Sequence, residues 1–168
     1  PNALAAGAIR KMLKAQPAPF MSKGAAGLVR PGNLEDDFGD VGEADWIVEA
    51  VVEDLAIKRK LYRLIEKSRK SGSIVSSNTS TLTAESLTKG LPATFAGDFL
   101  ITHFFTPPRY MRLLELVAGP RTRPDVVEKM RDFCDRRLGK GVVLCHDTPS
   151  FIANRIGSFW IQCAVVEA

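Results

Sequence analysis

The chain has 168 residues, of which 45% are hydrophobic and 25% are charged, and its formal net charge is +4. This length suits one domain with a real core, and the composition excludes the disordered and collagen-like classes. The positive charge is too small to indicate a nucleic-acid partner by itself, and no apolar run reaches the roughly 18 residues that a membrane span needs.

The cysteines and the two chain ends bear on where the protein works. Cys134, Cys145 and Cys163 are widely spaced, with no CxxC pair and no metal-binding spacing. We therefore expect free thiols in a reducing, cytoplasmic setting and no bound metal. The chain begins at Pro1 without a methionine and stops at Ala168 inside an apolar run, so we expect both ends to be cut from a longer protein.

The first third of the chain gives weak structural signals. Good helix formers predict a helix over Ala3–Lys14, which the proline-rich stretch after it ends. Leu28–Val29 is a candidate short strand that Pro31-Gly32 closes, and residues 34–43 are a candidate loose helix.

A clear strand–helix–strand unit follows. The apolar run Trp46–Val51 is typical of a buried parallel strand, and Asp54 is a good N-cap for a helix over 55–70. Ser73–Ser77 then predicts a second strand, parallel to the first. The inner face of the helix is expected to carry apolar residues, namely Leu55, Leu61, Tyr62, Leu64 and Ile65. Its basic residues, Lys58 included, are expected to lie largely outside.

The second half of the chain predicts a change from a parallel to a mixed sheet. We expect a short helix over 83–88, strands over 99–105, 113–117 and 141–145, and helices over 124–138 and from Pro149 to the end. The fold class is therefore α/β, with a sheet that is parallel and then mixed. The last helix is expected to be the first helix of a second, all-α domain.

Polar groups follow several predicted strands, at the edge where open α/β sheets bind ligands. They are Glu53, the run Asn78–Ser80, His103 and the segment Thr148–Asn154. Turns need polar residues in any case, so one such group alone would carry little weight.

His103 and Glu115 stand out because each lies in an apolar strand and needs a polar partner there. A pairing of the two would satisfy both, although a merely structural pair, or a Glu115 that faces solvent, remains open. A Ser80–His103–Glu115 hydrolase triad is disfavoured, because the chain has no G-x-S-x-G motif and the order differs from the usual one.

Five motifs in chain order resemble the 3-hydroxyacyl-CoA dehydrogenase family, from about residue 44 to the end. The stretch before residue 44 is similar to long bacterial members that also carry an enoyl-CoA hydratase module. The motifs are Glu49-Ala50-Val51-Val52-Glu53, Ser77-Asn78-Thr79-Ser80, His103-Phe104-Phe105-x-Pro107, Glu115, and Asp147-Thr148-Pro149-x-Phe151-Ile152-x-Asn154-Arg155.

The resemblance implies a Rossmann-like NAD-binding domain and oxidation of an acyl-CoA thioester in fatty acid β-oxidation. It implies that His103 is the catalytic base, that Glu115 orients it, and that Ser80 and Asn154 hold the substrate oxygen and the pair. The positions that it implies for cofactor binding are Glu53, Lys58, Asn78, Ser80 and Thr106. It also implies a helical C-terminal domain that usually dimerises. Separately, the last helix would expose a large apolar face if nothing covered it, so we expect self-association through this helix.

The chain departs from the family pattern at three points. Thr106 replaces an asparagine, and Ser150 replaces a glycine, which would introduce strain if that glycine needs positive φ. No G-x-G-x-x-G loop occurs. We therefore expect residues 1–147 to be a partial NAD-binding domain without its first strand and glycine-rich loop, and residues 148–168 to begin the helical domain. Alone, this stretch should bind NAD poorly and turn over slowly or not at all.

Two alternatives stay open. The first is a non-catalytic structural or binding domain that kept the fold, as in lens crystallins related to this family. The second is a related dehydrogenase that acts on a free hydroxy acid or sugar acid.

Overall fold

A computed structural model describes residues 2–167 of the chain. Its centre is a five-stranded sheet in which the strands lie side by side in chain order. The strands are β1 (Trp46–Glu49), β2 (Ile74–Ser77), β3 (Phe99–Phe104), β4 (Leu113–Ala118) and β5 (Gly141–Cys145). The first three strands are parallel, β4 is antiparallel to β3, and β5 is parallel to β4. The predicted α/β class, with a sheet that is parallel and then mixed, is confirmed.

Helices connect the strands and cover both faces of the sheet. They are α1 (Ala3–Lys14), α2 (Leu55–Ser68), α3 (Ala84–Thr88), α4 (Ala93–Gly97), α5 (Pro124–Arg136) and α6 (Ala153–Glu167). The predicted N-cap of α2 is confirmed, because Asp54 Oδ1 accepts a hydrogen bond of 2.8 Å from the main-chain N–H of Ile57.

The sheet separates two apolar clusters, because alternate residues of a strand point to opposite faces. One cluster joins α2 and α4 to the strands through Tyr62, Phe95 and Phe99, and it extends to Phe151 just before α6. The other joins α5 to the sheet through Leu114 and Met130. Helices on both faces of a largely parallel sheet are the doubly wound arrangement.

Two predictions in the connecting segments were wrong or incomplete, and one short helix was not predicted. Leu28–Val29 is not a strand, since Leu28 ends a 3-10 helix over Lys23–Leu28. Pro31, two residues after Val29, has no N–H group to donate to a β-ladder. Residues 34–43 form a helix only as a 3-10 turn over Phe38–Glu43. The short helix α4 was not predicted, because five residues after Pro92 give no measurable periodicity.

Helix α6 projects from this body with its apolar residues exposed. Phe159 is 69% and Trp160 is 71% exposed, and no residue of α6 is buried. Strand β5 is also largely open. Among residues 2–167, no helix has both the length and the apolar character to cross a membrane.

Candidate active site

The loops that follow β1 and β2 meet at one edge of the sheet. Because these strands are parallel and Glu49 is in register with Ser77, their carboxyl ends lie together. Glu53, in the first loop, accepts hydrogen bonds from the hydroxyls of Thr79 and Thr81 and from the N–H of Ser80 at 3.2 Å. One carboxylate therefore fixes the second loop against the first.

The surroundings of Glu53 favour its ionised form. Partial burial raises the pKa of this carboxyl, but hydrogen bonds from Thr79 and Thr81 and the charge of Lys58 lower it by more. The net result is a pKa below the ordinary value for glutamate. Since its side chain is still 39% exposed, Glu53 presents a fixed negative charge at the open edge of the sheet.

Asn78 joins the ends of β2 and β3. Its side-chain oxygen accepts a hydrogen bond of 2.9 Å from the N–H of Phe104, and its own N–H donates to the carbonyl of Glu49 at 2.8 Å. The residue therefore sets the position of the strand end that carries His103.

His103 and Glu115 lie opposite each other on β3 and β4. His103 Nδ1 lies 2.7 Å from Glu115 Oε2, and the two residues are 5% and 1% exposed. The expected contact is therefore present, and neither side chain faces solvent. An ionised carboxylate can only accept, so we assign the ring proton to Nδ1. In the neutral ring, Nε2 is then the nitrogen that can accept a proton from elsewhere.

The second oxygen of Glu115 holds the start of α6. Oε1 accepts hydrogen bonds from the N–H groups of Ile152 at 3.0 Å and Ala153 at 2.7 Å. The first N–H groups of a helix lack partners within it, and they favour a negative charge. Glu115 thus joins the histidine to the segment that follows β5, a role that the sequence did not reveal.

The remaining predicted site residues lie around this pair to different degrees. Asn154, in the first turn of α6, donates from Nδ2 to the carbonyl of Ser80 at 3.4 Å, which brings the two together. Phe105 and Phe151 flank the ring of His103, with centroid distances of 4.6 and 5.7 Å. Thr106 lies exposed in the loop after β3.

Lys58 was wrongly expected on the outer face of α2, since it is 1% exposed. Its Nζ donates to Glu49 Oε1 at 2.7 Å and to the carbonyl of Val51 at 3.3 Å, and it lies 3.3 Å from Glu53 Oε2. Leu64, expected inside, is 45% exposed. The signal for this ion pair was Glu49 itself, a carboxylate in an apolar strand that needs a partner as much as Glu115 does.

Comparisons with known proteins show what the chain is similar to. Residues 3–148 match the model of a family described as "3-hydroxyacyl-CoA dehydrogenase, NAD binding domain". A probable 3-hydroxyacyl-CoA dehydrogenase of Bacillus subtilis is 48% identical over 160 residues, which are 95% of this chain and 20% of that protein. A putative fatty acid oxidation complex trifunctional enzyme of Rickettsia felis is 39% identical over 168 residues, 100% of this chain and 23% of that protein.

A solved structure shares the fold with a different stated activity. It is a dehydrogenase of a pyridine carboxylic acid, described as an NAD+-dependent dismutase. It is 32% identical with a TM-score of 0.72, covering 77% of this chain and 42% of that one. The chain spans between 20% and 47% of the length of the curated relatives that it matches.

Proposed function

The chain belongs to the family of 3-hydroxyacyl-CoA dehydrogenase NAD-binding domains, and from this premise we propose what the full-length protein does. It oxidises (S)-3-hydroxyacyl-CoA to 3-oxoacyl-CoA with NAD, as a step of fatty acid β-oxidation. The observation that carries the proposal is the buried His103–Glu115 pair, at 2.7 Å, beside the loops that follow β1 and β2. The name of the Rickettsia felis relative supports the place in fatty acid oxidation.

The chemistry assigns one task to each member of the pair. Oxidation of the 3-hydroxyl removes a hydride from C3 and a proton from oxygen, so a base must lie within hydrogen-bond reach of that oxygen. His103 Nε2 accepts the proton, and Glu115 stabilises the imidazolium that results. When bound, NAD accepts the hydride. Ser80 and Asn154, which the 3.4 Å contact joins, orient the substrate oxygen.

The residues present fit the half of NAD that carries the nicotinamide and its ribose. Glu53 offers an ionised, partly exposed carboxylate, which suits a ribose hydroxyl donor. Asn78, Ser80 and Thr106 surround the same edge, and Lys58 supports it from below. The sequence contains no G-x-G-x-x-G loop for the pyrophosphate. The proposal therefore includes weak NAD binding and little or no turnover by residues 1–168 alone, and a micromolar affinity would contradict it.

The domain division and the partners follow from the same reasoning. Residues 1–147 form part of the NAD-binding domain, and residues 148–168 begin a helical domain. The exposed apolar side chains of α6, such as Phe159 and Trp160, are of the kind that finds a partner. We propose that the protein self-associates through this helix, and a monomer in sedimentation would contradict that. The cytoplasm is the proposed location, supported by three free cysteine thiols.

A second candidate function is oxidation of a free hydroxy acid or a sugar acid. The pyridine carboxylic acid dehydrogenase, at 32% identity, favours this alternative, because it shares the fold without an acyl-CoA in its description. A non-catalytic domain is the third reading, which the replacements at Thr106 and Ser150 favour and the intact His103–Glu115 pair opposes.

One assay separates the three. The full-length protein is mixed with NADH and either acetoacetyl-CoA or free acetoacetate, and the loss of NADH absorbance is followed. We expect consumption with the thioester at a kcat/KM at least about a hundredfold higher than with the free acid. Faster turnover of the free acid would favour the second candidate. No turnover of either substrate at any pH would leave the non-catalytic domain as the remaining candidate.

A further inference from the structure

The end of β1 carries a buried carboxylate that the chemistry above does not use. We propose that Glu49 is a positioning residue, which fixes the two loops of the proposed cofactor site from beneath. The proposal rests on the proposed function, because it assigns Glu49 to the same site. Glu49 is 3% exposed and lies at the last position of its strand.

Four donors converge on this carboxylate. Oε1 accepts from Lys58 Nζ at 2.7 Å and from the N–H of Val51 at 2.6 Å. Oε2 accepts from the hydroxyls of Tyr62 at 2.5 Å and Ser77 at 2.7 Å. A buried charge is tolerated only when it is paired and hydrogen-bonded, and Glu49 meets both conditions. It therefore ties the first loop, helix α2 and strand β2 to one point.

Two chains of contacts run from Glu49 to the open edge of the sheet. In the first, Lys58 also lies 3.3 Å from Glu53 Oε2, so that one ammonium group joins the two carboxylates. In the second, Ser77 donates its only hydroxyl proton to Glu49, and its oxygen accepts the N–H of Thr79 at 3.2 Å. Glu53 and Thr79 are in turn bonded to each other. Contacts from the buried carboxylate of Glu49 thus reach both loops.

Tyr62 is bound to the network as a neutral donor. Burial, and then the charge of Glu49, raise the pKa of its hydroxyl above the ordinary value. Near neutral pH its hydroxyl therefore keeps its proton and donates it to the carboxylate. Replacing Glu49 by glutamine would remove the charge that pairs with Lys58 and leave fewer acceptors for four donors.

A matched control lies at the opposite edge of the sheet. Asp98, just before β3, is also a buried carboxylate, 3% exposed. It accepts from Arg69 at 2.8 Å and from Arg123 at 2.6 Å. Among residues 2–167, no hydrogen bond joins Asp98 to residues 78–81. Asp98→Asn therefore removes a buried, paired charge without touching the loops, and it reports what a purely structural loss does.

The test is amide hydrogen exchange over residues 78–82 in the cofactor-free, full-length protein. We expect Glu49→Gln to raise exchange there at least about tenfold, and Asp98→Asn to leave it within about twofold. In NADH kinetics, Glu49→Gln should raise KM about tenfold, with kcat reduced less than about threefold, because the base is untouched. Should Glu49→Gln not fold, Ser77→Ala removes one of the four donors to Glu49 together with the acceptor for the N–H of Thr79, and it should raise exchange about threefold.

Unchanged exchange over residues 78–82 in Glu49→Gln, or in Ser77→Ala if Glu49→Gln does not fold, would overturn the proposal, as would an equal rise in Asp98→Asn. The exchange readout needs no substrate, so it is separate from the proposed function. A wild-type protein that consumes no NADH would sink the proposed function, whereas an active protein with unaltered loops in Glu49→Gln would sink only the positioning role.

Discussion

Glu115 is hydrogen-bonded to His103 through one carboxylate oxygen and to the start of α6 through the other. The distances are 2.7 Å to the ring nitrogen and 3.0 and 2.7 Å to the N–H groups of Ile152 and Ala153. The histidine is therefore oriented by a group that is itself fixed by a helix from beyond β5. Any change at Glu115 acts on both ends of this arrangement.

Glu115→Gln should disable the base while the protein stays folded. The two helix N–H groups need an oxygen, so the glutamine oxygen faces them and its NH2 faces His103. Nδ1 of the ring must then accept a hydrogen bond from this NH2 group, so the ring proton lies on Nε2. That nitrogen can then no longer accept the proton of the substrate hydroxyl. We expect kcat to fall about 10²- to 10⁴-fold in the full-length protein, with the KM for NADH unchanged.

The control for that variant is Glu128→Gln, which neutralises an exposed carboxylate paired with Arg131. It should leave kcat within about twofold, because this exposed pair within α5 is separate from the His103–Glu115 pair. A Glu115→Gln protein with wild-type kcat would show that the carboxylate does not set the tautomer of His103.

The thiol of Cys145 reports the charge of Glu115 independently of catalysis. Burial, and then the neighbouring Glu115 carboxylate, raise the pKa of this thiol to about 11. Only the thiolate reacts with iodoacetamide. The alkylation rate at Cys145, followed by mass spectrometry, should therefore still rise about tenfold per pH unit between pH 8 and pH 10.

Removing the charge should reverse part of this shift. A negative neighbour disfavours the thiolate, so Glu115→Gln lowers the pKa of Cys145 and speeds its alkylation at pH 8. Glu128→Gln should leave the rate unchanged. A wild-type rate that levels off near pH 8.5 would mean that neither burial nor Glu115 acts on the thiol.

Ser150 adopts a backbone conformation that favours glycine, with φ of 64°. The expected strain at this position is therefore present, and Phe151 next to it has φ of 49°. We expect Ser150→Gly to raise the free energy of unfolding by about 0.5–1 kcal/mol, because it removes a left-handed conformation from a residue with a Cβ atom.

A second serine gives a control of opposite sign. Ser158 is exposed within α6, where glycine is less favourable than serine by about 0.3–0.5 kcal/mol. Urea unfolding of the chain should therefore show Ser150→Gly stabilised and Ser158→Gly destabilised. Destabilisation by both substitutions would show that the hydroxyl or the Cβ of Ser150 makes a contact worth more than the strain.

Much of the fold could be predicted because most elements bury one face. Strands β3 and β4 and helix α1 lie within one residue of their predicted bounds, since long apolar runs and regular helix formers leave little choice. The strand predicted at Leu28–Val29 was wrong because two apolar residues are too few to establish a ladder, and these two residues instead end a 3-10 helix.

The candidate site was predictable where a buried polar residue needed a partner. His103 and Glu115 were paired by that reasoning. The same reasoning applies to Glu49, but Lys58 was assigned to solvent, because lysine on an amphipathic helix usually lies there. The contacts of Glu115 to Ile152 and Ala153 could not be predicted, because main-chain donors carry no mark in a sequence.

The most direct test of the proposed function is His103→Gln in the full-length protein, assayed with acetoacetyl-CoA and NADH. Glutamine keeps much of the volume and polarity of the ring but cannot take up a proton near neutral pH. We predict that kcat falls at least about 10²-fold while the dissociation constant for NADH stays within about twofold. Undiminished kcat would contradict the assignment of His103 as the base. Loss of NADH binding in the variant would instead mean that the residue is structural.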